Sequence, residues 1–285
     1  MTLVAPSPAA QPDASATDRR PRHRTFVMCP PRHFGVEYEI NPWMHRATPV
    51  DRHLAHHQWE AVRSTYERLG HRVELVAPAE GLPDLVFCAN AGLVLDGRVL
   101  LSRFRHHERR GEEDVFAAWF AEHGFEVVRA TRWNEGEGDL LLAGDLLLAG
   151  WGFRTDPAAH AEVGDFSGRE VLPLELVDPR WYHLDTALAV LDDDGLIAYH
   201  PPAFSPASQR VLAERFDDAV IASEADALAF GLNACSDGRH VVLAAGAVDL
   251  AEQLAARGFD PIPLDTSELQ KAGGSAKCAT LEVRS

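Results

Sequence analysis

The chain places one cysteine, Cys278, near its end, in the stretch Gly273–Val283, which reads GGSAKCATLEV. A glycine pair leads into it, as where backbone turns sharply or approaches a ligand closely. A thiol so placed can act as a nucleophile once its proton is removed or its pKa lowered. The candidate base is His183, in YHLDT. The candidate carboxylates are Glu135, Glu137 and Asp139, in NEGEGD. A cysteine, a histidine and acids scattered along the chain fit a folded cysteine enzyme. The plainer alternative is a small thiol buried in the core.

The acidic stretch alternates carboxylates with glycines. Two such carboxylates can grip a planar guanidinium in a bidentate fork, or one can orient His183. The alternative is a solvated acidic turn. His183 and Asp185 are two apart, so on a strand they would face one side. Asn41 and Asn90 sit in turns beside apolar segments and can present an amide to a ligand or simply form the turn. Arg103 and Arg154 follow strand ends, where each can clamp a carboxylate or form a surface ion pair.

The elements that must position these residues follow from periodicity and turn signals. Thr25–Pro30 predicts a strand, and the alternation Val36, Tyr38, Ile40 another strand end. Asp51 predicts an N-cap for a helix to about Leu69. Strands are expected at His71–Val76, Leu85–Phe87, Leu93–Leu95 and Val99–Ser102, with a helix at Glu112–His123 and a strand at Phe125–Arg129. The same order, hairpin then helix then strand, returns around the turns Gly144-Asp145, Asp194-Gly195 and Asp237-Gly238. In the second of these units Thr186–Leu191 predicts a strand. The last unit ends in a strand at Ala279–Val283. About five copies at roughly 50–60 residues suit radially arranged blades, each too small to bury its own face. An open mixed sheet reads the same way. Residues 1–24, rich in Ala, Pro, Ser and Asp, predict a disordered tail, and residues 25–285 a single catalytic domain.

Composition narrows the function classes. The 285 residues are 46% hydrophobic and 25% charged, with four cysteines in no Cys-x-x-Cys pair. That argues against a zinc or disulfide framework and for a reducing, cytoplasmic setting. No apolar run reaches membrane-spanning length. The formal net charge of −16 disfavours nucleic acid and anionic membrane as partners and mildly favours a cationic substrate.

Five motifs taken together resemble one family: INPWM at Ile40–Met44, FCANAG at Phe87–Gly92, EGEGD at Glu135–Asp139, HLDT at His183–Thr186 and KCATLE at Lys277–Glu282. They are similar to those of the guanidino-group modifying enzymes, and the likeness spans about residues 25–285. The resemblance implies a five-bladed α/β propeller (pentein) with pseudo-fivefold ββαβ repeats. It implies no metal and no organic cofactor, and a small cationic amino acid as partner; a homo-oligomer is compatible with it. Cys278 would attack the guanidinium carbon, and His183 would shuttle protons through an S-alkylthiouronium intermediate. Glu137 or Glu135 would be the catalytic carboxylate. Asn41, Asn90, Arg103, Asp139, Arg154 and Asp185 would bind substrate. In the resemblance Asp185 favours unsubstituted over methylated arginine, and Asn41 and Asn90 point to the arginine dihydrolase branch, giving ornithine, carbon dioxide and ammonia. Dimethylargininase is the alternative, followed by an amidinotransferase or a non-catalytic arginine-binding protein.

Overall fold

The structure is a computed structural model that describes residues 19–284. The expected tail therefore lies mostly outside the described residues. Its last residues, 19–24, are held against the body: Arg19 pairs with Asp192 at 2.9 Å and Arg24 with Asp193 at 2.6 Å.

In chain order the elements are β1 (Thr25–Met28), α1 (Arg52–Arg68), β2 (Arg72–Leu75), β3 (Gly92–Leu95), β4 (Arg98–Leu101), α2 (Gly111–Glu122) and β5 (Glu126–Arg129). Next come β6 (Leu140–Ala143), β7 (Leu146–Trp151), α3 (Ala159–Ser167), β8 (Glu170–Glu175), α4 (Leu184–Ala187), β9 (Leu188–Val190), β10 (Ile197–Tyr199), α5 (Pro206–Arg215) and β11 (Val220–Ile221). The chain ends with α6 (Glu224–Leu228), β12 (Cys235–Ser236), β13 (His240–Ala244), α7 (Val248–Ala256), β14 (Asp260–Leu264), α8 (Ser267–Gln270) and β15 (Leu281–Arg284).

One unit recurs. An antiparallel pair is followed by a helix and by a third strand parallel to the second. This describes β3-β4-β5, β6-β7-β8, β9-β10-β11 and β12-β13-β14. The fifth unit joins the chain ends: β15 pairs antiparallel with β1, and β1 runs parallel to β2 after the α1 crossover. A parallel pairing of β15 with β3 fuses two units into one six-stranded sheet. The fold is thus mixed α/β, with short strands that are buried in the antiparallel pairs, as in β3 and β10, and more exposed in the third strands, as in β2 and β5.

Three local expectations differ from the structure. Leu85–Phe87 is not a strand: Pro83 fixes the start of a 3-10 turn over Pro83–Val86. The segment Phe34–Met44 is irregular, although Val36, Tyr38 and Ile40 are all partly buried against the core. Thr186 lies in a helical turn, not at the head of a strand, so β9 begins only at Leu188. His183 and Asp185 therefore do not share a strand face.

The core divides into clusters under the sheets. Phe116 and Phe120 of α2 are both fully buried beside Val94, Val99 and Leu101 of β3 and β4. No helix among the described residues is long and apolar enough to cross a membrane. Phe120→Ala should cost about 3–5 kcal/mol of unfolding free energy through lost burial and cavity formation, read as a lowered denaturation midpoint in urea.

Candidate active site

Every unit contributes the segment just before its first strand. Cys278 precedes β15, Asn90 precedes β3, Glu135–Asp139 precede β6, His183 and Asp185 precede β9, and Asn233 precedes β12. Most of these segments are single helical turns, which aim side chains inward where a strand would alternate them.

Cys278 is buried, 2% exposed. Its Sγ lies 3.2 Å from Asp185 Oδ2 and 3.0 Å from Asn233 Nδ2. Burial pushes the thiol well above its ordinary pKa, and the neighbouring Asp185 carboxylate pushes it further. Burial likewise raises Asp185 to about 7, with Lys277 opposing. The thiol is therefore neutral at rest, sharing its proton with a carboxylate.

His183 Nε2 sits 2.8 Å from Glu135 Oε2, and Arg154 donates to the same oxygen at 2.8 Å. Burial alone would raise Glu135, but Arg154 and His183 hold it well below the usual carboxylate range. With Nε2 donating to Glu135, the neutral ring carries its lone pair on Nδ1. Among the described residues, neither His183 Nδ1 nor Asp185 Oδ1 has a protein hydrogen-bond partner, though both are buried. A thiol held on one carboxylate, and an imidazole two residues from that carboxylate, thus keep bonding capacity in reserve. That set can attack an electrophilic carbon, move a proton and hold a cation.

Glycine makes the acidic turn feasible. Gly136 has φ +56°, and a Cβ there would come within 2.6 Å of the Gly92 amide. A Cβ on Gly138 would lie 2.3 Å from Asn90 Nδ2 and 3.2 Å from the His183 ring. The turn sends the two glutamates to different partners. Glu135 meets His183, whereas Glu137 binds Lys277 Nζ at 2.7 Å and also the Arg284 guanidinium. Lys277 and Arg284 line a cavity of about 360 Å³ in which neither Cys278 nor His183 takes part. Glu137, the alternative to Glu135 as the expected carboxylate, makes its hydrogen bonds to Lys277, Arg284 and the Glu282 amide and makes none to Cys278 or His183.

The expected substrate ligands divide similarly. Asn90 is fixed by the Arg109 guanidinium, which donates to its Oδ1 at 2.7 Å, so its amide donor points at the Glu135 carbonyl, 3.2 Å away. Asp139 accepts from the Thr155 hydroxyl at 2.6 Å and the Leu184 amide at 3.0 Å. It pins the turn that carries His183 and Asp185, and burial raises it to about 6. Asn41 caps the backbone amides of Trp43 and Met44 and donates to the Ala272 carbonyl at 3.0 Å. Arg154 directs its second nitrogen to the Ile40 carbonyl at 3.0 Å and lies over the Tyr182 ring. Asn41 and Arg154 thereby strap the irregular 34–44 segment onto the site.

Arg103 stands apart from the buried cluster. It is exposed and donates to the Thr131 carbonyl, because its bridge to Asn134 runs through the backbone and leaves the side chain at the rim. Arg109, like Arg154, is buried, and it is forked onto Glu112 at 2.7 and 2.8 Å. Its signal in the sequence was the i,i+3 pairing with Glu112 at a helix start. Asn233 left no comparable signal.

A raised carboxylate pKa has a defined consequence for stability. Asp185 folds with its value lifted from 3.8 to about 7, so its contribution is fully present below about pH 3.8 and is lost as pH rises through about 7. Asp185→Asn should therefore gain thermal stability relative to the parent between pH 5 and pH 8. A melting-temperature difference that stays flat over that range would contradict the assignment.

No family model matches the chain. A dimethylarginine dimethylaminohydrolase of Mycobacterium tuberculosis is 52% identical over 269 residues, covering 94% of this chain and 89% of the relative. The bifunctional arginine dihydrolase/ornithine cyclodeaminase ArgZ of Synechocystis is 42% identical over 268 residues, 90% of this chain. This chain spans 37% of that longer relative. Among solved structures, the substrate-bound N-terminal domain of ArgZ, a cyanobacterial arginine dihydrolase crystallised as a cysteine-to-serine variant, matches with a TM-score of 0.88 and 40% identity. That match covers 92% of this chain and 98% of the domain. A dimethylarginine dimethylaminohydrolase structure at 21% identity and a TM-score of 0.73 shares the fold. The chain belongs to the guanidino-group modifying superfamily, with the dimethylarginine dimethylaminohydrolases and the arginine dihydrolases.

Proposed function

We propose that this chain is a cysteine-dependent hydrolase of the guanidino group that takes dimethylarginine to citrulline and dimethylamine. The observation that carries the chemistry is the buried Cys278 thiol on Asp185 beside a His183 whose Nε2 is committed to Glu135. The substrate is supported by the 52% identical relative, which is named for dimethylarginine. The sequence had led with arginine dihydrolase; the comparisons favour its alternative.

A guanidinium seated against Asp185 would change the resting electrostatics. One positive charge about 4 Å away is worth roughly 4 kcal/mol at an effective dielectric constant near 20, or about three pKa units. That is enough to hold Asp185 ionised and to bring Cys278 far down toward thiolate. The thiol proton passes to His183, whose imidazolium Glu135 stabilises. The sulfur lone pair forms a C–S bond to the guanidinium carbon. The bond to the dimethylamino nitrogen breaks as that nitrogen takes the His183 proton. His183 then takes a proton from water as the water oxygen attacks the thiouronium carbon. The C–S bond breaks, the new hydroxyl loses its proton to solvent, where the freed dimethylamine takes it up, citrulline leaves, and His183 returns its proton to the sulfur. Glu135 is the positioning carboxylate; Asp185 is the cation ligand; Asn90 lines the guanidino end. Arg109, Asp139 and Arg154 hold those groups, and Asn41 closes the 34–44 segment over them.

A second reading is arginine dihydrolase, favoured by the Asn90 amide, which has a second N–H beside the one aimed at the Glu135 carbonyl. A neutral ureido oxygen accepts a hydrogen bond from an amide, whereas a carboxylate there could only repel it. Two successive hydrolyses would give ornithine, carbon dioxide and two ammonia.

We also place the five ββαβ units radially, as a five-bladed propeller forming one catalytic domain over residues 25–285. The support is that all five send the same segment to one site. The four thiols are free and buried, which suits a reducing, cytoplasmic compartment.

Product analysis with dimethylarginine, arginine and citrulline decides between the readings. Dimethylamine equal to citrulline supports the first. Ornithine with two ammonia per arginine supports the second. Transfer of the amidino group to an added amine supports an amidinotransferase. Binding without turnover, equal in Cys278→Ser, would leave only an arginine-binding protein. Otherwise Cys278→Ser should lose about 10³-fold or more in kcat while keeping its circular dichroism. Asn90→Asp should abolish any ornithine and leave citrulline as the last product, because the Arg109 contact fixes which side of residue 90 faces the site.

A further inference from the structure

We propose that Asn233 is a further catalytic residue, which clamps the Cys278 turn and donates the hydrogen bond that receives the thiolate. The inference rests on the reading of Cys278 as nucleophile. Four of the five units already supply a side chain to the site from the segment before their first strand. The fifth, β12-β13-β14, supplies Asn233 from the same position.

Its amide is fully used. Nδ2 donates to Cys278 Sγ and to the Asp185 carbonyl, both at 3.0 Å. Oδ1 accepts from the Ser275 amide at 2.8 Å and from the Cys278 amide at 3.0 Å. The backbone carbonyl accepts from the Lys277 amide at 3.2 Å. The side chain is completely buried. Two carboxamide ends therefore do separate work. The oxygen shapes the turn that carries the nucleophile. The nitrogen joins that nucleophile to the backbone of Asp185.

The donor matters because of the other neighbour. A neutral thiol can donate to Asp185, but a thiolate has no proton to give and is repelled by that carboxylate. Asn233 Nδ2 is the neutral donor already aimed at the sulfur, and it gains strength when the sulfur ionises. Losing a donor to a charged acceptor changes an equilibrium about 10–100-fold.

The test reads the pH dependence of iodoacetamide alkylation at Cys278, with the adduct located by mass spectrometry, in the parent, Asn233→Asp and Asn233→Ala. The aspartate keeps the oxygen that accepts from Ser275 and Cys278; the alanine adds no charge. Both should raise the midpoint by one or more pH units and slow alkylation at pH 8 about 10–100-fold. The kcat for dimethylarginine should fall by a similar factor with KM little changed. If Asn233→Asp does not fold, Asn233→Ala carries the measurement. An unmoved midpoint would overturn the proposal and leave Asn233 a turn former. Alkylation needs no substrate, so a shifted midpoint in a protein inert toward every guanidino compound would sustain the clamp while sinking the activity.

Discussion

The site depends on keeping one carboxylate charged where water does not reach it. Glu135 is fully buried, and an isolated ion there would cost several kcal/mol after relaxation. Arg154 and His183 share its outer oxygen, and that pairing outweighs the desolvation. Much of the surrounding structure serves it. Gly136 bends the backbone through a positive φ, Arg154 reaches on to the 34–44 segment, and His183 is left with one ring nitrogen available. Replacing the pair with hydrocarbon could be neutral for folding, but it would release the imidazole from its tautomer and orientation.

Around Cys278 the balance runs the other way. There the local carboxylate, Asp185, is pushed up by burial and is paired with a thiol, which is itself pushed up. At rest one proton lies between the thiol and the carboxylate, and a cation seated there would favour its loss. Activation tied to ligand charge avoids a permanently exposed thiolate, which is the form open to oxidation. The net charge of −16 adds a long-range attraction for cations, though a modest one beside contact electrostatics.

The repeated ββαβ unit explains how such distant segments converge. No unit has a side chain set large enough to build the site alone. Five equivalent turns before five first strands bring Cys278, Asn90, Glu135, His183, Asp185 and Asn233 together. β15 pairs with β1, so Cys278, just before β15, is positioned where these two distant segments meet. Folding of both ends is thus a precondition for the thiol's environment.

Local signals carried a good part of this into the sequence. The Asp51 cap and the glycine after Leu69 delimited α1, and the turns at Gly144-Asp145, Asp194-Gly195 and Asp237-Gly238 marked three of the units, because caps and turns act within a few residues. Motif order was enough to point to Cys278, His183 and an acid between residues 135 and 139. Local signals could not choose Glu135 over Glu137, since two residues of a turn differ only in the partners the rest of the chain presents. Nor could they prefer Arg109 to Arg103, find the helical turn at Leu184–Ala187, or reveal Asn233. The deciding contacts join residues 45, 48, 93 and 140 positions apart. Residue type and spacing set what each segment could do; burial and long-range pairing, which exist only once the chain has closed, decided which groups stay charged and which ones meet.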